Sequence, residues 1–148
     1  MRYLIIGLFF FLSTNAKAQV QSVELVASGL TCSMCSKAIF KALSALDFVS
    51  EVKVDIDKSS YSLAFKSPDK VKIEQIREAV YDAGFAIETM QMIANFPKNK
   101  AIDNEVVSLV GYQFKWKLTG AKNIVNPQKV TIVNKELLPT AGIYYLNF

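Results

Sequence analysis

From residue 21 onward the chain switches between two hydrophobic rhythms. Val23, Leu25 and Ala27 alternate with polar or less apolar positions, the period of a half-covered strand. Ile39, Ala42, Leu43 and Leu46 then fall on one helical face, and the period changes from two to about 3.6. Val52, Val54 and Ile56 alternate with Lys53, Asp55 and Asp57, the polar turn Lys58-Ser59-Ser60 follows, and Tyr61, Leu63 and Phe65 resume the alternation. That is the pattern of a β-hairpin. Ser67-Pro68-Asp69 breaks the chain and opens a second helix, whose stripe is Ile73, Ile76, Val80 and Ala83. Gly84 is placed to end it in a left-handed cap, and Phe85 to Ile93 reads as a last strand.

The order β-α-β-β-α-β predicts an α+β fold over residues 21–96. This is a ferredoxin-like sandwich with two helices on one face of a four-stranded antiparallel sheet. Lys37 and Lys41 on the first helix, and Glu74, Arg77 and Glu78 on the second, lie opposite the apolar stripes and read as a solvated face. The polar, proline-containing run Phe96-Pro97-Lys98-Asn99-Lys100 marks the expected boundary. Beyond it, residues 101–148 predict a β-rich C-terminal extension. Tyr112, Phe114, Trp116 and Leu118 alternate with Gln113, Lys115 and Lys117, and Val130 to Val133 and Ile143 to Leu146 are further strand-like runs. About fifty residues of short strands make a marginal core alone, so the extension is expected to pack on the first unit or on a partner. The stripe around Trp116 reads as a strand's core face.

The N-terminus reads as an export signal over residues 1–18. Arg2 is its positive region, Tyr3 to Leu12 its apolar core and Ala16-Lys17-Ala18 its cleavage site, leaving Gln19 first in the mature chain. An apolar core of about ten residues is half the roughly 20 that span a bilayer, so no membrane span is expected after cleavage and the product is periplasmic or secreted. Cleavage removes Arg2 and Lys17, so 17 basic and 13 acidic residues become 15 and 13. A net charge of about +2 argues for neither nucleic acid nor an anionic membrane.

The chemistry gathers in Thr31-Cys32-Ser33-Met34-Cys35-Ser36, which holds both cysteines of the chain in a C-x-x-C spacing where a strand pattern hands over to a helix pattern. A helix N-terminus presents unpaired N–H groups and a positive dipole end, which favour thiolate. Thiolate is the form that binds metal or attacks disulfides. A structural disulfide at this spacing would close so short a loop that it would constrain the unfolded chain very little, which leaves a metal or redox role. Met34 lies between the cysteines, while Met90 and Met92 read as core filler. The chain has no histidine and no carboxylate pair at a distinctive spacing, so no catalytic nucleophile and base emerge and an enzyme is not expected.

Gly29-Leu30-Thr31-Cys32-Ser33-Met34-Cys35, followed by Ile39, Leu43, the run Val49 to Ile56 and Asp82-Ala83-Gly84-Phe85, resembles the heavy-metal-associated domain. That family includes copper chaperones, N-terminal domains of heavy-metal P-type ATPases and periplasmic mercury-binding proteins, and its motif is commonly G-M-T-C-x-x-C. The resemblance spans roughly residues 21–94. It implies Cys32 and Cys35 as the metal ligands. Thr31 matches the copper-type members, where zinc-, cadmium- and lead-type members often place an aspartate. Leu30 stands where methionine is usual, a swap of similar volume. Phe85 corresponds to a position near the metal loop and implies shielding rather than a charge or hydroxyl.

Two soft thiolates without histidine suit Cu(I) first and Hg(II) second, whereas structural zinc takes four ligands. The expectation is an exported soft-metal-binding protein that captures or delivers Cu(I) by thiolate exchange. Its transfer partner would be a heavy-metal ATPase or an efflux component. A periplasmic Hg(II)-binding protein is the first alternative. A thiol-disulfide oxidoreductase, with Cys32 as nucleophile and Cys35 as resolving thiol, is the second. The aromatic-flanked C-x-x-C and βαβ frame of thioredoxin-like enzymes are absent from the sequence.

Overall fold

The computed structural model describes residues 19–28, 33–132 and 143–148. The expected export signal, residues 29–32 with Cys32 among them, and Val133 at the end of one predicted strand lie outside the described residues. The first six elements are β1 (Gln19–Ser28), α1 (Ser33–Ser44), β2 (Val49–Asp55), β3 (Ser60–Phe65), α2 (Ile73–Asp82) and β4 (Ala86–Asn95). The four strands lie in the order β2-β3-β1-β4, all neighbours antiparallel.

Register follows from the alternating apolar positions, because a slip of one residue would turn them to solvent. Val23 lies between Leu63 on β3 and Met92 on β4, and Leu25 between Tyr61 and Met90. All six side chains are buried, as are Ile39 and Leu43 of α1 and Ile73, Ile76 and Val80 of α2. Burying each large aliphatic side chain is worth about 1.5–3 kcal/mol, which holds both helices on one face of the sheet.

Two boundaries differ from the pattern. The second helix begins at Ile73, not at the Ser67-Pro68-Asp69 break. Residues 67–70 instead form a turn, with the Lys70 amide donating to the Ser67 carbonyl at 3.1 Å, and Val71 is buried before the helix starts. Ile56, read as the end of a strand, falls in the hairpin turn with 62% of its surface exposed. At the other end of α2, Gly84 takes φ = 88°. The amides of Gly84 and Phe85 return to Tyr81 and Val80 at 2.9 and 3.2 Å, a left-handed cap that turns the chain into β4.

The sheet runs on past the four strands expected. The remaining elements are β5 (Lys100–Ala101), β6 (Val106–Leu109), β7 (Tyr112–Trp116), β8 (Lys122–Asn123), β9 (Gln128–Ile132) and β10 (Ile143–Asn147). β5 and β8 pair as a small ribbon, and the other four join the main sheet to give the order β2-β3-β1-β4-β9-β10-β7-β6. β9 is antiparallel to β4 with Val130 opposite Met92, whereas β10 runs parallel to β7. Four strands too short to bury a core alone extend an existing sheet edge, so the core rows continue through Val130, Ile132, Leu146, Phe114 and Trp116. Phe96, in the expected boundary run, is buried with its ring 5.1 Å from that of Trp116.

The charged face of α2 is also not wholly solvated. Glu74 is half-buried and accepts a hydrogen bond from the Tyr144 hydroxyl at 2.7 Å, because β10 carries Tyr144 up to the helix. Arg77 is half-buried as well, while Glu78, Lys37 and Lys41 are exposed as expected.

Candidate metal centre

Cys35 is the third residue of α1, half-buried in its first turn. No acidic side chain stands in that turn, so nothing there opposes the N–H groups and dipole that favour a thiolate. Cys32 directly precedes Ser33, the first residue of α1, and with Thr31, Leu30 and Gly29 lies outside the described residues. Met34, between the cysteines in sequence, is 80% exposed, whereas Met90 and Met92 are buried in the core as their alternation indicates.

The turn carrying Cys35 is tied to the sheet. Ser36 is buried, and its carbonyl accepts from the buried Tyr61 hydroxyl at 3.4 Å. The sequence reads Tyr61 as a core-facing strand residue; its hydroxyl contact with the helix is set by tertiary packing, which no local pattern reports.

The end of the sheet at which β1 closes is tightly hydrogen-bonded. Val26 and Ser28 at the close of β1 stand opposite Ser60 on β3 and Ala86 on β4. The Ala27 amide donates to the Ser59 carbonyl at 3.1 Å, and the Ser28 hydroxyl to the Ala86 carbonyl at 3.4 Å. The hairpin turn there is closed by Asp55, whose carboxylate accepts the Lys58 amide at 3.2 Å and lies 3.3 Å from the Lys58 ammonium. The amide bond, foremost, holds the Asp55 carboxyl below its ordinary range. Phe85 immediately precedes β4 at this end and is half-buried. Ser28 at the close of β1 and Ser33 at the start of α1 bracket, in the sequence, the residues 29–32 that include Cys32.

Among the described residues no group of three or more His, Cys, Asp or Glu side chains gathers to hold a metal ion, and no helix is long and apolar enough to cross a membrane.

A family model described as the heavy-metal-associated domain matches residues 25–86. The COP-associated protein of Helicobacter felis is 35% identical over 65 residues, which is 44% of this chain and 96% of that protein. The copper chaperone CopZ of Staphylococcus haemolyticus is 32% identical over 60 residues, 40% of this chain and 87% of that one. The mercuric transport protein periplasmic component of Shigella flexneri is 32% identical over 74 residues, 50% of this chain and 80% of that one.

Proposed function

Because the chain belongs to the heavy-metal-associated domain family, we propose that it is an exported carrier of Cu(I) that holds the ion between Cys32 and Cys35 and passes it on by thiolate exchange. Residues 1–18 are then the signal removed on export, residues 21–96 the metal-carrying unit, and residues 101–148 an extension of its sheet. The observation that carries the reading is the position of Cys35 in the first turn of α1, with Cys32 in the residue before the helix.

Two thiolates give a soft, low-coordinate site that suits Cu(I). The helix N-terminus lowers the cost of keeping both sulfurs deprotonated at neutral pH. Delivery needs no catalytic base. A thiolate of the partner adds to the ion, one of Cys32 and Cys35 leaves, and the two remaining steps repeat the exchange until the partner holds the ion. A two-ligand site leaves room for that incoming sulfur. The partner is a protein with its own soft-ligand site, such as a heavy-metal ATPase domain or an efflux component. Thr31, through its likeness to copper-type members, supports copper over zinc.

The test is anaerobic titration of the reduced protein with Cu(I) against a competing chelator. One Cu(I) per chain is expected, with the competitive binding lost in Cys32→Ser and in Cys35→Ser. Binding indifferent to both substitutions overturns the reading.

Capture of Hg(II) is the second reading, and the similarity to a mercuric transport periplasmic component is what favours it. Any dithiol binds mercury, so affinity alone does not separate the two. Survival of cells lacking the gene does: sensitivity to copper with unchanged tolerance of mercury supports copper, and the reverse supports mercury.

A further inference from the structure

Among the described residues the eight-stranded sheet ends on two outer strands, β2 and β6, and they are built differently. β2 carries Glu51, Lys53 and Asp55 and has a register shift between Val49 and Glu51. Charge and irregularity of this kind discourage a further strand from pairing. β6 reads Val106-Val107-Ser108-Leu109, with no charge, no proline and no register shift against β7, and Val106 is 50% exposed.

Beside β6 opens a cavity of about 230 Å³. Val107, Phe96, Trp116 and Ile124 give it apolar walls, and the exposed Lys98 and Lys100 line it as well. Sites for whole drug-sized ligands run from roughly 300 Å³ upward, so this space is scaled to a single large side chain. Lys98 is already paired with Glu105, while Lys100 has no ion-pair partner among the described residues.

We propose that β6 and its cavity receive an extended strand of a partner protein, adding a ninth strand to the sheet, with one large apolar side chain in the cavity and an acidic residue beside Lys100. Unpaired main-chain groups along an outer strand give such an added strand its hydrogen bonds, and the pocket reads every second side chain. A second copy of this chain fits less well. Its β6 offers no acidic residue, and its neighbouring carboxylate, Glu105, is held by Lys98. The surface lies on the extension, away from the cysteines in sequence, and its occupancy does not depend on the metal reading.

Trp116 is the chain's one tryptophan and lines the cavity, so its fluorescence reports on the site directly. The probe is a synthetic strand peptide of alternating valine and threonine with a central phenylalanine and an aspartate at each end, compared with a twin carrying lysines in place of the aspartates. The expected result is a saturable change in Trp116 emission. Ion-pair energies at exposed sites put the preference for the acidic peptide at roughly fivefold, shrinking as salt is added. Val106→Asp, at an exposed position that leaves the core untouched, is expected to weaken the acidic peptide about tenfold by placing a like charge on the edge. Lys100→Ala should abolish the preference while retaining binding of a neutral peptide with asparagines at both ends. No saturable response, equal binding of the acidic and lysine peptides, or insensitivity to Val106→Asp overturns the proposal. So does sedimentation showing a dimer that Val106→Asp dissociates, since the occupant is then a second copy.

Discussion

Tyr144 and Tyr112 show how single side chains tie the extension to the heavy-metal-associated half. Tyr144 is buried, packs its ring at 5.8 Å edge-on to Tyr112 and donates its hydroxyl to Glu74 of α2. Burial first, and then the hydrogen bonding and negative charge of Glu74, push both phenols above their ordinary pKa of 10.0. The folded state therefore holds these protons more tightly than the unfolded state. Their contribution to stability is complete below about pH 10 and declines above it, as the unfolded chain ionises first. Urea denaturation from pH 9 to 11.5 should show stability falling with pH, and the fall should be shallower in a Tyr112→Phe/Tyr144→Phe double variant. A hydrogen bond to a carboxylate is worth about 1.5–3 kcal/mol, so Tyr144→Phe alone should cost about that much at pH 7 in the same assay. None of this is legible in the sequence, where Glu74 reads as a solvated charge and Tyr144 as one residue of a strand. The side chains meet only because β10 is brought within reach of α2.

At the scale of elements, sequence patterns succeeded where order is local. The alternation of β1 and β3 and of β2 as far as Val54, the Ile73, Ile76 and Val80 stripe of α2, and the cap at Gly84 stand where the pattern puts them. Position 35 entered the first turn of a helix because the apolar period changes there. The start of α2 lies several residues beyond the break at Pro68, because residues 67–70 form a turn and Val71 is buried before the helix begins. β6 has no counterpart in the sequence pattern, because four residues beside an undistinguished turn carry little periodicity. That turn offers its own test. Val110 and Gly111 join β6 to β7 as a two-residue hairpin, and both have positive φ, 48° and 84°. A β-branched residue is strained there, whereas Asn-Gly is the favoured pair. Val110→Asn should therefore stabilise the protein by about 1 kcal/mol, raising the urea midpoint with the slope unchanged.

Across the whole molecule, the tail's dependence on a larger core was readable from its length, but its docking on β4 was not. That docking is a pairing of Val130 with Met92 across 38 positions of sequence, and no local window contains it. Ending the chain after Phe96 would leave that ring without Trp116 and reopen the outer edge of β4. A 19–96 fragment is expected to retain Cu(I) binding at the cysteines but to unfold at lower urea than the intact chain and to self-associate as its concentration rises. Equal stability of the two would show that the extension contributes nothing to the sheet it joins.

The claim that the protein carries Cu(I) on Cys32 and Cys35 outside the cytoplasm is tested most directly by isolating it anaerobically from copper-stressed cells, with thiols trapped at lysis, and measuring metal and thiol state together. The expected product is a chain beginning at Gln19, with both thiols reduced and one copper bound. A chain holding zinc or mercury in preference to copper, or a Cys32–Cys35 disulfide with no metal, would contradict it.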